Sequence, residues 1–188
     1  MVKRAFDLTA ALILSVLLAV PAAILMLLIR LDSPGPAIFR QERLGKNGKP
    51  FMILKLRSMR LDAEKNGPRW AERNDSRCTR LGSFLRRSRL DELPQLWNIL
   101  HGEMSFVGPR PERAYFYDQF EKTIPGFRNR LAVIPGLTGL AQVNGGYDLS
   151  PEQKIVFDMK YIENCCVGMD LSCICLLYTS DAADEARS

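Results

Sequence analysis

Histidine is nearly absent from the chain: among 188 residues there is one, His101. A zinc site built from cysteine and histidine is therefore short of ligands, and no serine or cysteine falls into a recognisable triad with that single imidazole. Cysteines number five, an odd count, with four bunched at Cys165, Cys166, Cys173 and Cys175. No even disulfide framework runs through the core, so a reducing compartment is expected. The glycine-rich stretch Ile134 to Gly146 lacks the Gly-Lys-Ser/Thr ending of a P-loop. The length excludes a multidomain protein and fits one domain with an appended element.

Charge is missing altogether from Leu8 to Ile29, where every residue except Thr9, Ser15 and Pro21 is aliphatic, alanine or methionine. As a straight helix this run would be about 33 Å long at 1.5 Å per residue, close to the roughly 30 Å hydrocarbon core of a bilayer. Pro21 removes a backbone hydrogen bond past the middle and predicts a kink there. Lys3 and Arg4 before the run and Arg30 after it both favour the cytoplasmic side, which a spanning helix cannot satisfy. A re-entrant helix that enters and leaves through one leaflet satisfies both ends. A secretory signal fits less well, because the run continues past Ala23 to Ile29, and a buried core helix is disfavoured by apolarity all round.

The net charge of +5 suits an anionic partner without choosing among nucleotide, phospholipid surface and nucleic acid. Leu31 to Pro36 stops the helix with two prolines and a glycine. Ala37 to Met59 reads as a short β-hairpin turning at Gly45 to Gly48, with Lys55 and Arg57 on one side as a candidate anion-facing pair or a solvated strand face. Arg60 to Thr79 reads as a polar surface helix and loop.

Leu81 to Pro111 concentrates the chemistry. Leu81, Phe84, Leu85, Leu93, Leu96, Trp97 and Leu100 follow helical spacing and predict a buried stripe, with Pro94 in the first turn of a helix that begins near Asp91. Arg86, Arg87 and Arg89 run into the adjacent acids Asp91 and Glu92. Carboxylates side by side raise one another's pKa and the arginines oppose this, giving an ionised pair suited to magnesium shared with a substrate phosphate. A carboxylate is then the natural nucleophile or base. On this motif alone, a surface acid pair salt-bridged to the arginines reads equally well. Arg110, between Pro109 and Pro111, suits bidentate phosphate contact. The glycines of Ile134 to Gly146 allow close approach to a ligand or make an ordinary turn, with Gln142 and Asn144 as donors and acceptors on one side. A helix opens at Ser150, with Pro151 in first place.

Arg30 to Pro36, Lys55 to Met59, Leu90 to Gln95, Phe106 to Pro111 and Pro135 to Gly145 together resemble the bacterial sugar transferases, the monotopic phosphoglycosyl transferases, over roughly Lys3 to Asp170. The resemblance implies a helix-rich α+β fold in three parts: a re-entrant membrane helix (1–32), a small catalytic domain (33–170) and an atypical tail (171–188). It implies transfer of a sugar 1-phosphate from a UDP-sugar to a polyprenyl phosphate such as undecaprenyl phosphate, with UMP released, at the cytoplasmic face of the bacterial inner membrane. It implies Asp91 as nucleophile, Glu92 and Asp91 as ligands of Mg2+, and phosphate-handling roles for Arg110 and Arg86, beside the candidate contacts Lys55, Arg57, Gln142 and Asn144. Its partners are the two substrates and membrane lipid, not nucleic acid, with homo-oligomerisation left open. The chain departs from the family pattern at Val20 before Pro21, at Gly146 after Asn144-Gly145, and at Cys165 and Gly168. Its ending resembles foreign sequence appended to the chain. Two other readings compete: a non-catalytic surface module for anionic lipid, against which Asp91 and Glu92 argue, and a phosphohydrolase of nucleotide sugars, against which the long apolar helix argues.

Overall fold

The computed structural model describes residues 2–65, 67 and 75–185, with side chains as far as Leu176 except that of Tyr147. The described chain is a helix-rich α+β fold with two small two-stranded sheets. The apolar run forms helices α1 (Val2–Leu17) and α2 (Ala19–Asp32), which meet at Leu18 with a bend of 61°. Pro21 causes the bend. It cannot donate to the carbonyl of Leu17 and its ring collides with it, so the break falls one turn before the proline rather than at it. Hydrogen bonding resumes at once, as Leu18 N donates to Leu14 O and Ala22 N to Leu18 O, each at 2.9 Å. Among the described residues no single helix is long and apolar enough to cross a membrane; the bent pair meets that test only with its two parts counted together.

One stripe of α1 faces the body: Asp7 and Ala11 are buried, and Leu14 and Leu18 pack on the core one and two turns later. Leu25, Met26 and Ile29 do the same for α2. Leu12, Ile13, Val16, Leu17, Val20, Ile24 and Leu27 stay exposed, more large apolar surface than a soluble monomer usually shows. Both ends of the pair are tied to the body by polar contacts. Lys3 Nζ lies 2.6 Å from Asp170, Arg4 donates to the carbonyls of Ile99 and Leu100 at 2.6 and 3.1 Å, and buried Asp7 accepts from Phe106 N at 3.2 Å. At the other end the Arg57 guanidinium donates to the carbonyls of Ile29, Ser33 and Pro34, some of which the end of α2 leaves without helical partners.

The expected hairpin is present as antiparallel β1 (Ile38–Leu44) and β2 (Pro50–Leu56), with Ile38 opposite Leu56 and Leu44 opposite Pro50. Its turn places Asn47 at φ 57°, a left-handed conformation asparagine tolerates. Of the polar stretch after it, residues 66 and 68–74 lie outside the described residues; Leu61 to Lys65 form turns, not a helix, and Met59 bridges to Cys78. Next come α3 (Arg80–Arg87), a single 3-10 turn at Leu90–Glu92, and α4 (Gln95–Leu100), which starts after Pro94 rather than near Asp91. Because the 3-10 turn breaks the helical phase, the expected stripe is only partly buried: Leu85 and Leu96 are inside, whereas Phe84 and Trp97 are exposed. Phe51 and Ile53 pack on Leu96, Ile99 and Met104. Asn98 completes the free edge of β2, accepting from Leu54 N at 3.1 Å and donating to Met52 O at 2.8 Å.

A second, parallel pair joins β3 (Ser105–Val107) to β4 (Gly136–Thr138) and brings the Gly-Pro-Arg segment against the glycine-rich one. A Cβ on Gly136 would stand 2.1 Å from Gly108 N, and one on Gly139 2.2 Å from Gly108 O. These glycines therefore serve the approach of backbone to backbone, where the sequence had left approach to a ligand open. The rest is helical: α5 (Ala114–Thr123), short α6 (Leu140–Val143), α7 (Pro151–Asn164) and α8 (Val167–Glu185). Ser150 and Gln153 form a capping box at the start of α7. In α8, Cys173 is wholly buried against Val107 and Tyr161.

Candidate functional site

Three separate segments converge on the acid pair. After α3 the chain reverses at Arg89, which holds φ 55° and ψ 13°, and enters the 3-10 turn with Asp91 and Glu92 both buried. From β2, Lys55 Nζ reaches 2.9 Å from Glu92 Oε1 and 3.8 Å from Asp91 Oδ2. From the loop after β3, Arg110 donates through Nη2 to Glu92 Oε1 and through Nη1 to Oε2 at 3.4 Å. Nη1 also donates to the Leu137 carbonyl at 3.3 Å, which fixes the plane of the guanidinium.

Similar carboxylates thereby acquire different acidities. Burial alone would raise Glu92, but the charges and hydrogen bonds of Arg110 and Lys55 outweigh it and hold the group far below the usual carboxylate range. Among the described residues Asp91 has no such direct bonds. Burial dominates there, Lys55 opposes it, and the neighbouring Glu92 charge reinforces it, so Asp91 titrates above its ordinary value. The residues alone predicted an ionised pair, and the resemblance gave its two members different roles. The structure separates a locked anion, Glu92, from a more basic carboxylate, Asp91, as environments do when adjacent acids take different roles.

The other sequence-derived candidates divide. Arg86 donates to Cys78 Sγ at 3.1 Å and lies 3.9 Å from Asp75, and its charge is a minor influence lowering Asp91. Gln142 Nε2 donates to the same Leu137 carbonyl that Arg110 uses, at 3.4 Å, while among the described residues its buried Oε1 has no hydrogen-bond partner. That oxygen is an acceptor beside the arginine. Asn144 is exposed and turned back to the Leu140 carbonyl at 2.8 Å, and Arg57 is spent on the end of α2, so neither joins the cluster.

For a divalent cation the donors at hand would be Asp91 and Glu92; among the described residues no group of three or more His, Cys, Asp or Glu is assembled. Two adjacent carboxylates and no soft ligand suit magnesium, which ordinarily fills its remaining positions with phosphate oxygens and water. The fit requires a substrate phosphate to draw Arg110 or Lys55 away from the Glu92 oxygens.

Two features have no signature in the sequence. Arg130 and Asp158 form an ion pair at 2.6 Å with side chains only 2% and 1% exposed, and Arg130 Nη2 holds the Arg110 carbonyl at 3.1 Å. The guanidinium also lies over Phe127, 4.8 Å from the ring centre. The partners are 28 residues apart and carry no spacing that would have linked them. The second feature is a cleft of about 150 Å³ between Glu92 and the bend of the N-terminal helices, walled by Leu14, Leu18, Leu93, Leu96, Phe106 and Leu137. Among the described residues its polar lining is Arg89 and Glu92.

Comparison with known proteins adds a family description, bacterial sugar transferase, matched over residues 1–180. A Bacillus subtilis (strain 168) protein, provisionally named an undecaprenyl-phosphate N-acetylgalactosaminyl 1-phosphate transferase, is 55% identical over 69% of this chain and 73% of its own. The Aeromonas hydrophila UDP-N-acetylgalactosamine-undecaprenyl-phosphate N-acetylgalactosaminephosphotransferase is 42% identical over 90% of this chain. The Escherichia coli (strain K12) UDP-glucose:undecaprenyl-phosphate glucose-1-phosphate transferase is 40% identical over 94% of it. This chain spans only 41% and 39% of those two longer proteins.

Proposed function

The chain belongs to the bacterial sugar transferase family, and on that premise we propose that it moves a sugar 1-phosphate from a UDP-sugar to undecaprenyl phosphate and releases UMP. The observation that carries this reading is the juxtaposition of a buried, cation-flanked acid pair with an apolar cleft at the bend of the N-terminal helices. Phosphate chemistry and a hydrocarbon acceptor are served within one site.

In the proposed reaction the sugar-linked phosphorus of the donor is attacked by an Asp91 oxygen. A P–O bond to Asp91 forms, the P–O bond to UMP breaks, and UMP leaves with the electron pair. An oxygen of the lipid phosphate then attacks the same phosphorus, the bond to Asp91 breaks, and the carboxylate returns as the lipid diphosphate sugar departs. Asp91 suits the nucleophilic role because its basicity is raised, while Arg110 and Lys55 are placed to receive phosphate charge. Magnesium, held by Asp91 and Glu92, would supply further neutralisation of that charge. Gln142 Oε1 offers an acceptor to a donor hydroxyl. UMP release by the detergent-solubilised chain, measured across a panel of UDP-sugars with and without undecaprenyl phosphate, tests the proposal. Stoichiometric release without lipid and turnover with it is the expected pattern; equal turnover without lipid would indicate the nucleotide-sugar hydrolase.

Arg110→Lys is expected to lower kcat/KM by about tenfold or more although charge is kept, because an ammonium cannot make the planar two-point contact. Near-normal kcat/KM would reduce Arg110 to a partner of Glu92.

The helix pair is proposed to be re-entrant at the cytoplasmic face of the inner membrane. In support, Lys3 and Arg4 at one end and the carbonyls of Ile29, Ser33 and Pro34 at the other are bonded to the same body. Cysteines placed at positions 2 and 32, in a background lacking the native thiols, should both react with an impermeant maleimide only after inverted vesicles are made. Labelling of one from the opposite side would show that the pair crosses.

A further inference from the structure

The two faces of the hairpin are covered unequally, and one residue departs from the pattern. The register puts Phe39 opposite Lys55, Gln41 opposite Ile53 and Arg43 opposite Phe51, all on the inner face, while Arg40, Glu42 and Met52 take the outer one. On the inner face Phe51 and Ile53 are buried against Leu96 and Ile99 of α4, and Gln41 and Arg43 are half-buried and donate to Glu64 and Glu112. Phe39 shares that face and is 40% exposed. An exposed phenylalanine is ordinary by itself; its neighbour gives this one meaning. Residues directly opposite on antiparallel strands hold their β-carbons about 4.5–5.5 Å apart, so Phe39 flanks the stem of Lys55, whose Nζ is 2.9 Å from Glu92 and 3.8 Å from Asp91. The order across the face is fixed. Asn98 of α4 closes one edge of β2, the acid turn packs on β2 beside it, and β1 with Phe39 takes the other edge. Seen from Asp91, an aromatic ring stands one strand beyond the ammonium placed to receive phosphate charge. In a UDP-sugar the uracil ring stands one phosphate and one ribose beyond the sugar-linked phosphorus.

Resting on the proposed reaction, we infer that Phe39 is the stacking platform for the uracil ring of the donor. The nucleotide lies across the hairpin, with its phosphates on Lys55 and Arg110 and its base on the ring of Phe39. Every base has a π-face, so this contact supplies affinity for the nucleotide and leaves the choice of sugar to other residues. It also orients the leaving group: a base held on the β1 side draws UMP away from Asp91, as in-line attack requires.

The test measures UMP and ribose 5-phosphate binding to the full chain in nanodiscs by calorimetry, with magnesium present. The two ligands differ by the base, so the ratio of their affinities reports it. UMP should bind about tenfold more tightly; Phe39→Ala should remove most of that preference with ribose 5-phosphate binding kept, and Phe39→Trp should retain it. A preference that survives Phe39→Ala, or an unaltered chain that binds both ligands equally or neither, would overturn the assignment. In turnover, Phe39→Ala should raise KM for the UDP-sugar about tenfold and leave KM for undecaprenyl phosphate where it is; a rise confined to the lipid would make Phe39 a membrane contact instead. Absence of UMP release from the unaltered chain with every UDP-sugar would refute the reaction, while the binding comparison would still decide whether Phe39 holds the base.

Discussion

Asp91→Asn is expected to abolish turnover, by on the order of 10^4-fold or more, the loss that follows from the nucleophilic role proposed for Asp91. The substitution keeps the shape of the side chain and removes its charge, so the fold should survive. The sign of the stability change follows from the raised pKa. A carboxyl whose folded pKa lies above its unfolded value contributes stability at low pH that is lost as pH rises through the folded value. At neutral pH the buried Asp91 charge is thus a cost, and the amide should melt at the same temperature or higher. Loss of activity without loss of stability is the signature of a group retained for chemistry. Incubation with a UDP-sugar and no lipid should add one phosphosugar to the peptide containing Leu90 to Gln95 in the unaltered protein and none in the variant, with deamidation excluded by mass. A sequential kinetic pattern with no adduct, or an asparagine variant well above background, would leave direct transfer between two bound substrates.

The second large effect is on stability. Arg130→Met should destabilise the chain by about 3–5 kcal/mol, because it strands the Asp158 carboxylate in a site where its side chain is 1% exposed. Burial already raises Asp158, with Arg130 opposing. Without Arg130 its pKa rises further, so the deficit should be largest at neutral pH and shrink as acid protonates the group. The double change Arg130→Met with Asp158→Leu should recover most of the stability, since an apolar pair replaces a buried ionic one at little cost. Activity should not recover with it, because the bond from Arg130 to the Arg110 carbonyl stays lost. Chemical denaturation in detergent, read beside UMP release, separates the two. A single variant within about 1 kcal/mol of the parent would refute the strut.

Local rules carried the sequence reading where contacts are local. The hairpin was legible because apolar and charged residues alternate on either side of Asn47-Gly48, and the helix at Pro151 because its cap is written in three consecutive residues. The break in the N-terminal run was legible as a proline effect but displaced by a turn, since the residue that suffers is the carbonyl four places back. Arg57 misled. Strand alternation puts it on the side of Lys55, but β2 ends at Leu56, and beyond it the chain carries the guanidinium to the end of α2. Trp97 and Phe84 were read into a buried stripe that the 3-10 turn dephases. Gly136 and Gly139 advertised a close approach without saying to what, because only the parallel pairing of β3 and β4 supplies the partner. The Arg130–Asp158 pair and the cleft depend on residues far apart in the chain, which no periodicity reports.

The Lys3–Asp170 bond closes the chain across 167 residues, and this sets an order of events during synthesis. Lys3 leaves the ribosome ahead of the residues that anchor the start of α1, Ile99, Leu100, Phe106 and Asp170, by many seconds at ordinary rates of about 5–20 residues per second. For that interval the helix pair has no docking site on the body and only lipid or a chaperone to shield its apolar faces. The helix pair is therefore complete before the body that receives it, and the body condenses onto helices already made. Contacts of such long sequence separation are also slow to close, so a slowed translation rate between Leu100 and Asp170 would lengthen the exposed stage and favour aggregation over folding.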